Sequence, residues 1–423
     1  MSSFFNINPK LEQLGDSALE KCKDKFSEIA SITKYNTQKV LSAFIKNGVS
    51  ESHFTPSSGY GYDDRGRECL EKVFADTFGA EAALVRHNFM SGTHTLSTML
   101  FGVLRPGDKI VSVTGEPYDT LKGVIGKANY SDGSLTDFGV LYDEIPLKNN
   151  VPDIEKIAET FKRGDIKVAY IQRSRGYSLR PSLTVEKIKK IIQTVKSVSP
   201  KTIVMVDNCY GEFVEKEEPT NVGADIMAGS LIKNPGGGIA QTGGYIVGRA
   251  DLVKKCSYSL SCPGVGAEIG ATLGHTKEMF MGFFHAPHVT GEALKTAVFC
   301  AALFELLGFD VTPHSDEKRA DIVQSIMLGN EKNLISFVQG MQSGAPIDSF
   351  VVPEPWDMPG YDSKVIMAAG AFNLGSSIEL SADAPLREPY AVWMQGGLNF
   401  DSGFVGVLLG AQKMLNDGVL DLK

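Results

Sequence analysis

The stretch TIVMVD, at residues 202–207, decides the fold class of this chain. It is short, almost wholly apolar and ends in a carboxylate, as is typical of a strand buried on both faces of a parallel sheet. Similar runs are KIVSV (109–113) and KVAYI (167–171), with shorter candidates at 224–228 and 244–247. Segments with helical periodicity separate these runs, at 92–101, 151–161 and 185–198. The alternation predicts an α/β domain with a mostly parallel sheet.

The alternating pattern occupies the middle of the chain, and we place the large domain at residues 55–290. Residues 1–54 are polar, with apolar residues at helical spacing. They predict an N-terminal helical arm that belongs to the small domain or to a dimer contact.

The pattern changes again in the last third of the chain. A long helical run at 290–307 is followed by the β-like run SSIEL (376–380) and a last helix at 403–415. These elements predict a smaller α+β domain over residues 291–423. The proline-rich stretch 351–363 predicts a long surface or active-site loop.

Composition excludes several classes of protein. The 423 residues include 42 basic and 50 acidic side chains, so the net charge of −8 argues against a nucleic-acid-binding protein. No apolar run approaches the roughly 18 residues that would span a membrane. The first residues lack the basic and apolar regions of a signal peptide, and the six cysteines are scattered. We therefore expect a cytoplasmic protein with reduced thiols.

One feature of the large domain suits an anion, and a second feature suits a cation. Ser91-Gly92-Thr93 precedes a helical segment, and the N–H groups of a helix N-terminus bind phosphate well, although the same triplet also serves as a plain helix cap. Asp207 ends the strand 202–207, at the edge where α/β sheets bind ligands. A buried carboxylate requires a cation or a strong donor, and the alternative is a structural cap.

Two further features supply a nucleophile and a ring. Lys233 in GSLIKNPGGG (229–238) has apolar neighbours, and a lysine near burial becomes a nucleophile toward carbonyls, the alternative being a surface lysine. Ser230 offers a hydroxyl near it. Tyr118 in GEPYDT (115–120) stands in a loop after a strand, where it either stacks on a flat ligand or packs within the loop.

Together these residues predict a site for pyridoxal 5'-phosphate (PLP). That cofactor needs a lysine for its Schiff base, an acidic partner for its pyridine nitrogen and a phosphate-binding element. The chain carries the phosphate loop, the aromatic residue, Asp207 and then Lys233, 26 residues further on.

With these residues in place, the sequence resembles the fold-type I PLP enzymes of cysteine and methionine metabolism. It is most similar to the branch called the methionine gamma-lyase family, or aluminium-resistance proteins of cystathionine beta-lyase type. The resemblance covers nearly the whole chain and implies a large domain with a mostly parallel seven-stranded sheet and a smaller C-terminal α+β domain. The resemblance rests on the segments at 57–76, 86–96, 171–183, 206–213, 229–248 and 376–390.

The resemblance implies a role for each matching residue. Lys233 would form the Schiff base and move protons at the substrate carbons, Asp207 would pair with the pyridine nitrogen, and Tyr118 would stack on the cofactor and offer a second base. The remaining residues would hold the phosphate: Ser91, Gly92, Thr93 and Ser230.

Other matches are looser. Tyr62 and Arg65 would reach the cofactor phosphate of a neighbouring subunit, and the longer spacing in YDDR leaves Tyr60 as an alternative to Tyr62. Arg387 would bind the substrate carboxylate. Arg175 stands where the lyases place an asparagine near the 3'-oxygen of the cofactor, which is a departure from the family pattern.

The resemblance implies elimination of a thiol from a sulfur-containing amino acid, with ammonia and a 2-oxo acid as the other products. It leaves open β- or γ-elimination. Another PLP reaction of aldolase or aminotransferase type, or a PLP-binding stress protein without lyase activity, are the alternatives. We expect a homodimer or homotetramer and no nucleic-acid or membrane partner. We expect no metal, because His285 and His288 have no evident third ligand.

Overall fold

The computed structural model describes residues 4–127, 132–358, 361 and 363–422. Contacts group the chain into two compact units. The large unit runs from Tyr35 to Ala286, and the small unit comprises the chain up to Lys34 together with the chain from Pro287 onward. These units are defined by contacts alone, so the division into domains 1–54, 55–290 and 291–423 stays a prediction.

Helices and strands alternate along the large unit. The first helix, α1 (Pro9–Lys46), enters it from the N-terminal side. The elements that follow are α2 (Arg65–Phe78), β1 (Ala82–Arg86), α3 (Gly92–Val103), β2 (Lys109–Ser112), α4 (Asp119–Ile125), β3 (Leu141–Glu144), α5 (Ile154–Phe161), β4 (Val168–Gln172), α6 (Val185–Val198), β5 (Ile203–Asp207), β6 (Ile226–Ser230), β7 (Gly244–Gly248), α7 (Ala250–Leu260) and the first residues of α8 (Thr276–Leu306).

The strands form one seven-stranded sheet in the order β1-β7-β6-β5-β4-β2-β3. Strand β7 is antiparallel to both of its neighbours, and the other pairs are parallel. The prediction of a mostly parallel seven-stranded sheet is therefore confirmed. Because β1 runs in the same direction as β6, the carboxyl ends of β1, β2, β4, β5 and β6 share one edge, which we call the carboxyl edge.

Apolar side chains cover both faces of this sheet. Along β5, Val204 and Val206 belong to one buried cluster, and Ile203 and Met205 belong to the other. Alternate residues of a strand point to opposite faces, so the continuous apolar run predicted at 202–207 contributes side chains to both buried clusters. Burial of each such side chain contributes about 1.5–3 kcal/mol, which holds the end of the strand in place.

The small unit contains an antiparallel five-stranded sheet in the order β10-β11-β12-β9-β8. Its elements are the remainder of α8, β8 (Val311–Thr312), β9 (Gln324–Met327), α9 (Glu331–Ser343), β10 (Val365–Ala368), β11 (Ser381–Pro385), β12 (Ala391–Gln395) and α10 (Phe400–Asn416). Helices α9 and α10 pack closely where Gly340 faces Gly410, because a Cβ on Gly340 would come within 2.7 Å of the Gly410 Cα atom.

Two sequence predictions in this region are wrong in detail. The run SSIEL (376–380) is not a strand, because the Glu379 carboxylate accepts hydrogen bonds from the backbone N–H groups of Phe372 and Asn373 and folds this segment into a loop. The helix predicted at 290–307 begins earlier, at Thr276, and continues through Pro287. Proline removes one helical hydrogen bond, but buried residues on both sides of it keep the helix intact.

Part of the proline-rich stretch 351–363 lies outside the described residues, namely 359, 360 and 362. Residues 351–358 form neither helix nor strand, apart from an isolated bridge between Trp356 and Val365. Across the described part of the chain, none of the helices has both the length and the apolar character needed to cross a membrane.

Candidate active site

The carboxyl edge carries the residues that the sequence singles out. Asp207 ends β5 and is paired in register with Gln172 at the end of β4 and with Ala228 in β6. Ser230 ends β6 and pairs with Gly244, which in turn pairs with Arg86 at the end of β1. Each parallel strand therefore ends at the same level, and the loops that follow converge on one edge of the sheet.

Helix α3 begins at this edge. The Ser91 side chain caps the helix by accepting a hydrogen bond from the His94 N–H at 3.0 Å. Among the described residues, the N–H groups of Gly92 and Thr93 donate to no acceptor. Free first-turn N–H groups and the positive end of the helix dipole together favour an anion at this position.

Gly92 faces three groups from other loops. A Cβ added to it would lie 3.5 Å from the Ser230 Cβ atom, 3.7 Å from the Cys209 Sγ atom and 3.8 Å from the Lys233 Nζ atom. We call this group of four residues the cradle. The structure thus brings the start of α3, the end of β6 and the amine of Lys233 together, and the absence of a side chain at Gly92 keeps the space between them open.

The loop with Tyr118 is tied to the same region. The Thr93 Oγ1 atom lies 2.7 Å from the Thr120 Oγ1 atom, in the first turn of α4. The Tyr118 N–H donates to the Gln172 side chain at 2.8 Å, at the end of β4. Its ring packs edge-on against Tyr177, with ring centroids 5.6 Å apart. Tyr118 is therefore fixed between the start of α3 and the loop after β4.

Asp207 is a buried carboxylate. Its Oδ1 atom accepts a hydrogen bond from the Cys209 N–H at 3.0 Å, its Oδ2 atom has a long contact of 3.5 Å with the Tyr170 hydroxyl, and the Cys209 thiol also interacts with the carboxylate. Burial raises the pKa of Asp207, and the Lys233 ammonium opposes that rise. A carboxylate in this position is suited to a cationic partner that binds at the carboxyl edge.

Lys233 is half-buried and directly precedes a short 3₁₀ turn, Asn234–Gly236. Its Nζ atom lies 4.0 Å from the centroid of the Tyr210 ring. Burial opposes the charged form of the amine, but the acidic groups around it outweigh burial and raise its pKa. These groups are, in order of effect, Cys209, Tyr210, Asp207 and Glu212.

Burial disfavours the ionised form of two of those groups. Burial raises the pKa of the Cys209 thiol well above its ordinary value, and it raises the pKa of Glu212 to about 8. Asp207 and Lys233 favour each other's charged forms, because each opposes the effect of burial on the pKa of the other.

A buried polar network lies behind the turn that follows Asp207. The Arg173 guanidinium donates to Asn208 at 2.9 Å and to Glu215 at 3.1 Å, and it is fully buried. The Tyr245 hydroxyl donates to the Glu212 Oε1 atom at 2.7 Å. These bonds hold the turn from 208 to 213 rigidly against the sheet.

Arg175 is buried in the loop after β4, where its backbone N–H donates to the Ser182 hydroxyl at 3.1 Å. Arg387 belongs to the small unit. It is exposed in the turn between β11 and β12, and its carbonyl accepts a hydrogen bond from the Tyr390 N–H at 2.8 Å.

Tyr62 and Arg65 lie on the surface of the large unit. In the described part of the chain, no hydrogen bond joins either side chain to the cradle. The loop itself is well anchored, because the buried Arg67 side chain donates to the Gly61 carbonyl at 2.7 Å and Asp64 caps α2. The Tyr62 ring lies 5.6 Å from that of Tyr60, so both tyrosines are presented outward together.

Sequence reasoning missed four residues of the site. Cys209 and Tyr210 lie two and three residues after Asp207, so their position just beyond a predicted strand is a usable signal. Gln172 and Thr120 orient the Tyr118 loop through hydrogen bonds that no local pattern indicates. Within the described ranges, no three or more His, Cys, Asp or Glu side chains gather in a way that could hold a metal ion.

The fold and the edge that carries the site define a class of protein. A cystathionine gamma synthase from Xanthomonas oryzae pv. oryzae shares this fold with a TM-score of 0.59 at 15% identity, over 91% of this chain and 99% of that chain. The architecture is thus that of the fold-type I PLP-dependent enzymes. The profile of the methionine gamma-lyase family matches residues 11–415. This chain belongs to the methionine gamma-lyase family, which confirms the resemblance.

Nearer relatives cover almost the whole chain. The Bacillus subtilis (strain 168) protein YnbB is 51% identical over 375 residues, which are 88% of this chain and 89% of YnbB. A solved Clostridium acetobutylicum protein involved in aluminum resistance has a TM-score of 0.95 at 50% identity, covering 97% of this chain and 96% of its own. A Clostridium novyi NT structure, described as a carbon-sulfur lyase involved in aluminum resistance, has a TM-score of 0.93 at 50% identity, covering 97% of each chain.

Proposed function

We propose that this protein is a PLP-dependent carbon–sulfur lyase that acts on a sulfur-containing amino acid. The observation that carries the proposal is the cradle, where the Lys233 amine faces Gly92 and Ser230 at the carboxyl edge, beside the buried Asp207. The family, and the carbon-sulfur lyase name of the Clostridium novyi relative, support the same reaction.

The residues present fit PLP. Asp207 is a buried carboxylate whose side-chain partners, the Tyr170 hydroxyl and the Cys209 thiol, are uncharged donors, which suits a protonated pyridine nitrogen as its cationic partner. The open N–H groups of Gly92 and Thr93 suit a phosphate, and the hydroxyls of Ser91 and Ser230 stand beside them. Lys233 supplies the primary amine that an aldehyde requires.

When bound, PLP supplies an electron-withdrawing conjugated ring that acidifies the Cα–H bond of an attached amino acid. Asp207 keeps the pyridine nitrogen protonated. Once its charge is paired with that nitrogen, less of it acts on Lys233, so the pKa of the amine falls and the neutral, nucleophilic form becomes available.

Lys233 then moves the protons. Its neutral amine takes the Cα proton of the substrate, with Tyr118 as a second candidate base. The electron pair of the broken C–S bond leaves with sulfur, which takes up a proton to give a thiol. Hydrolysis of the remaining product gives ammonia and a 2-oxo acid. We propose that Arg387 binds the substrate carboxylate bidentately and that Arg175 donates to the 3'-oxygen of the cofactor.

We also propose that the working unit is a homodimer or homotetramer. Tyr62 and Arg65 are exposed on an anchored loop, which suits a contribution to the phosphate site of a neighbouring copy. Mixing inactive Arg65→Ala subunits with inactive Lys233→Ala subunits tests this idea. Each hybrid dimer has one intact shared site out of two, so an equimolar mixture, in which about half of the dimers are hybrids, should regain about a quarter of the wild-type rate. No recovery, with hybrids demonstrated by mass, would contradict the shared site.

The reaction is tested on a panel of cystathionine, methionine, cysteine and homocysteine, with separate assays for thiol and 2-oxo acid. The products from cystathionine also separate β- from γ-elimination. We expect equal amounts of thiol and 2-oxo acid from at least one substrate, and none with Lys233→Ala. Amino-group transfer without thiol release, aldehyde release, or no turnover of any substrate would replace the lyase by one of the alternatives.

A further inference from the structure

Tyr210 has an unusual backbone conformation. It lies on the turn after Asp207 with a φ of +71°, in the left-handed region that aromatic residues seldom adopt. Such a conformation costs on the order of 1–3 kcal/mol and persists only where the surrounding structure imposes it. Strain of this kind at the carboxyl edge calls for an account of what the Tyr210 side chain does there.

The turn is pinned by the residue next to the lysine. The buried Asn234 side chain donates from Nδ2 to the carbonyls of Tyr210 and Glu212, each at 3.0 Å. From the other side, the Asn36 amide in α1 donates to the Phe213 carbonyl at 3.0 Å. The backbone that carries Tyr210 is thus bonded directly to the segment that carries Lys233.

This arrangement brings the ring of Tyr210 to the lysine amine. The Nζ atom of Lys233 lies 4.0 Å from the ring centroid. An ammonium within about 6 Å of an aromatic centroid is attracted by the negative face of the ring. The left-handed conformation of Tyr210 and the hydrogen bonds of Asn234 thus occur in the same turn as this contact.

We propose that Tyr210 is a positioning residue whose ring holds the Lys233 ammonium whenever the lysine is released from the cofactor. The inference rests on the proposed function. When the Lys233 amine takes the Cα proton, the C–H bond breaks, an N–H bond forms, and the C–H electron pair stays with the substrate. The ring face stabilises the new positive charge and keeps it beside the substrate carbon for the return of the proton.

The other titratable groups around the amine leave room for this role. Besides Tyr210, the acidic groups that most strongly raise the pKa of Lys233 are Cys209, Asp207 and Glu212. Burial raises the pKa of Cys209 and of Glu212, which disfavours the negatively charged form of both groups. Asp207 becomes paired with the pyridine nitrogen when the cofactor binds, which leaves the Tyr210 ring as the group that favours the ammonium.

Three substitutions separate the ring from the backbone. Tyr210→Phe keeps the ring, Tyr210→Leu removes it while keeping an apolar side chain, and Tyr210→Asn removes it with a residue that tolerates the left-handed region. The full chain is dialysed against hydroxylamine to free Lys233, and trace acetic anhydride then labels its amines across a pH series. Mass spectrometry of the Lys233 peptide gives the pKa of the amine, with the exposed Lys187 as an internal reference.

We expect the Leu and Asn variants to lower the pKa of Lys233 by about half a unit, a threefold loss of proton affinity, and Phe to leave it unchanged. The acid limb of the kcat profile should shift in the same order. An unchanged pKa in Leu and Asn, or an equal loss in Phe, would overturn the proposal. Absence of lyase activity in the wild type would refute the proposed function. The labelling needs no turnover, so the pKa values of Lys233 in the variants would still show whether the Tyr210 ring stabilises the ammonium.

Discussion

The hydroxyls of Thr93 and Thr120 lie 2.7 Å apart and join the first turn of α3 to the first turn of α4. One helix offers its N–H groups to an anion, and the other follows directly on Tyr118. This hydrogen bond therefore fixes the distance between the proposed phosphate position and the ring that is proposed to stack on the cofactor.

Replacing Thr120 tests this link. Thr120→Val keeps the shape of the side chain but removes the hydroxyl. The Thr93 hydroxyl then loses its hydrogen-bond partner, which costs about 1 kcal/mol. We expect PLP to bind about fivefold more weakly in a fluorescence titration. Thr120→Ser, which keeps the hydroxyl, should bind PLP as the wild type does, and an equal loss in both variants would argue against the link.

Gly92→Ala should separate stability from cofactor binding. The new Cβ makes only ordinary van der Waals contacts, at 3.5–3.8 Å, and a helix prefers alanine to glycine. We expect the cofactor-free protein to gain about 0.5 kcal/mol in its free energy of unfolding. The methyl group also fills the cradle, so PLP affinity should fall at least tenfold. Unchanged affinity would place the phosphate elsewhere.

Asp207→Asn should remove catalysis without unfolding the protein. An amide keeps the hydrogen bond from the Cys209 N–H but cannot hold the pyridine nitrogen protonated. We expect kcat to fall by about a hundredfold or more. The cofactor-free protein should remain folded, because the amide keeps the shape of the side chain and the hydrogen bond that ties it to the turn. The matched control is Tyr170→Phe, which loses a contact of 3.5 Å and should keep kcat within about threefold.

Glu212→Gln should change how stability depends on pH. Burial raises the pKa of Glu212 from 4.5 to about 8, so between these values the folded protein binds more protons than the unfolded chain, and stability falls as the pH rises. The contribution is at most about 1.4 kcal/mol per pH unit. Glutamine still accepts the Tyr245 hydrogen bond and does not titrate.

Urea denaturation at pH 5, 6.5 and 8 measures this effect. The stability of Glu212→Gln relative to the wild type should increase steadily with pH, while the contributions of all other groups cancel in the difference. A constant difference across the series would mean that Glu212 is ionised in the folded protein.

Sequence patterns predict the frame of the large unit well, because the signals are local. A short apolar run such as 202–207 is typical of a buried parallel strand. The last residue of such a strand lies at the carboxyl edge of the sheet. Asp207 and Lys233 could be singled out in this way. The structure places Gly92 and Ser230 beside the lysine, and their binding of a phosphate stays a prediction.

Other features depend on contacts that are remote in sequence. Thr93 and Thr120 are 27 residues apart, and Tyr210 takes its conformation from Asn234. In the small unit, SADAP (381–385) forms a central strand although it lacks the β-branched and aromatic residues of typical strands, because pairing with β10 and β12 outweighs its weak local preference.

The proposed lyase function depends most directly on the attachment of the cofactor to Lys233. Reduction of the PLP-loaded protein with sodium borohydride, followed by protease digestion and mass spectrometry, identifies the residue that carries the phosphopyridoxyl group. We predict one modified peptide, which contains Lys233, and no such peptide from Lys233→Ala. Modification at another lysine, or persistence of a stoichiometric adduct in Lys233→Ala, would contradict the account.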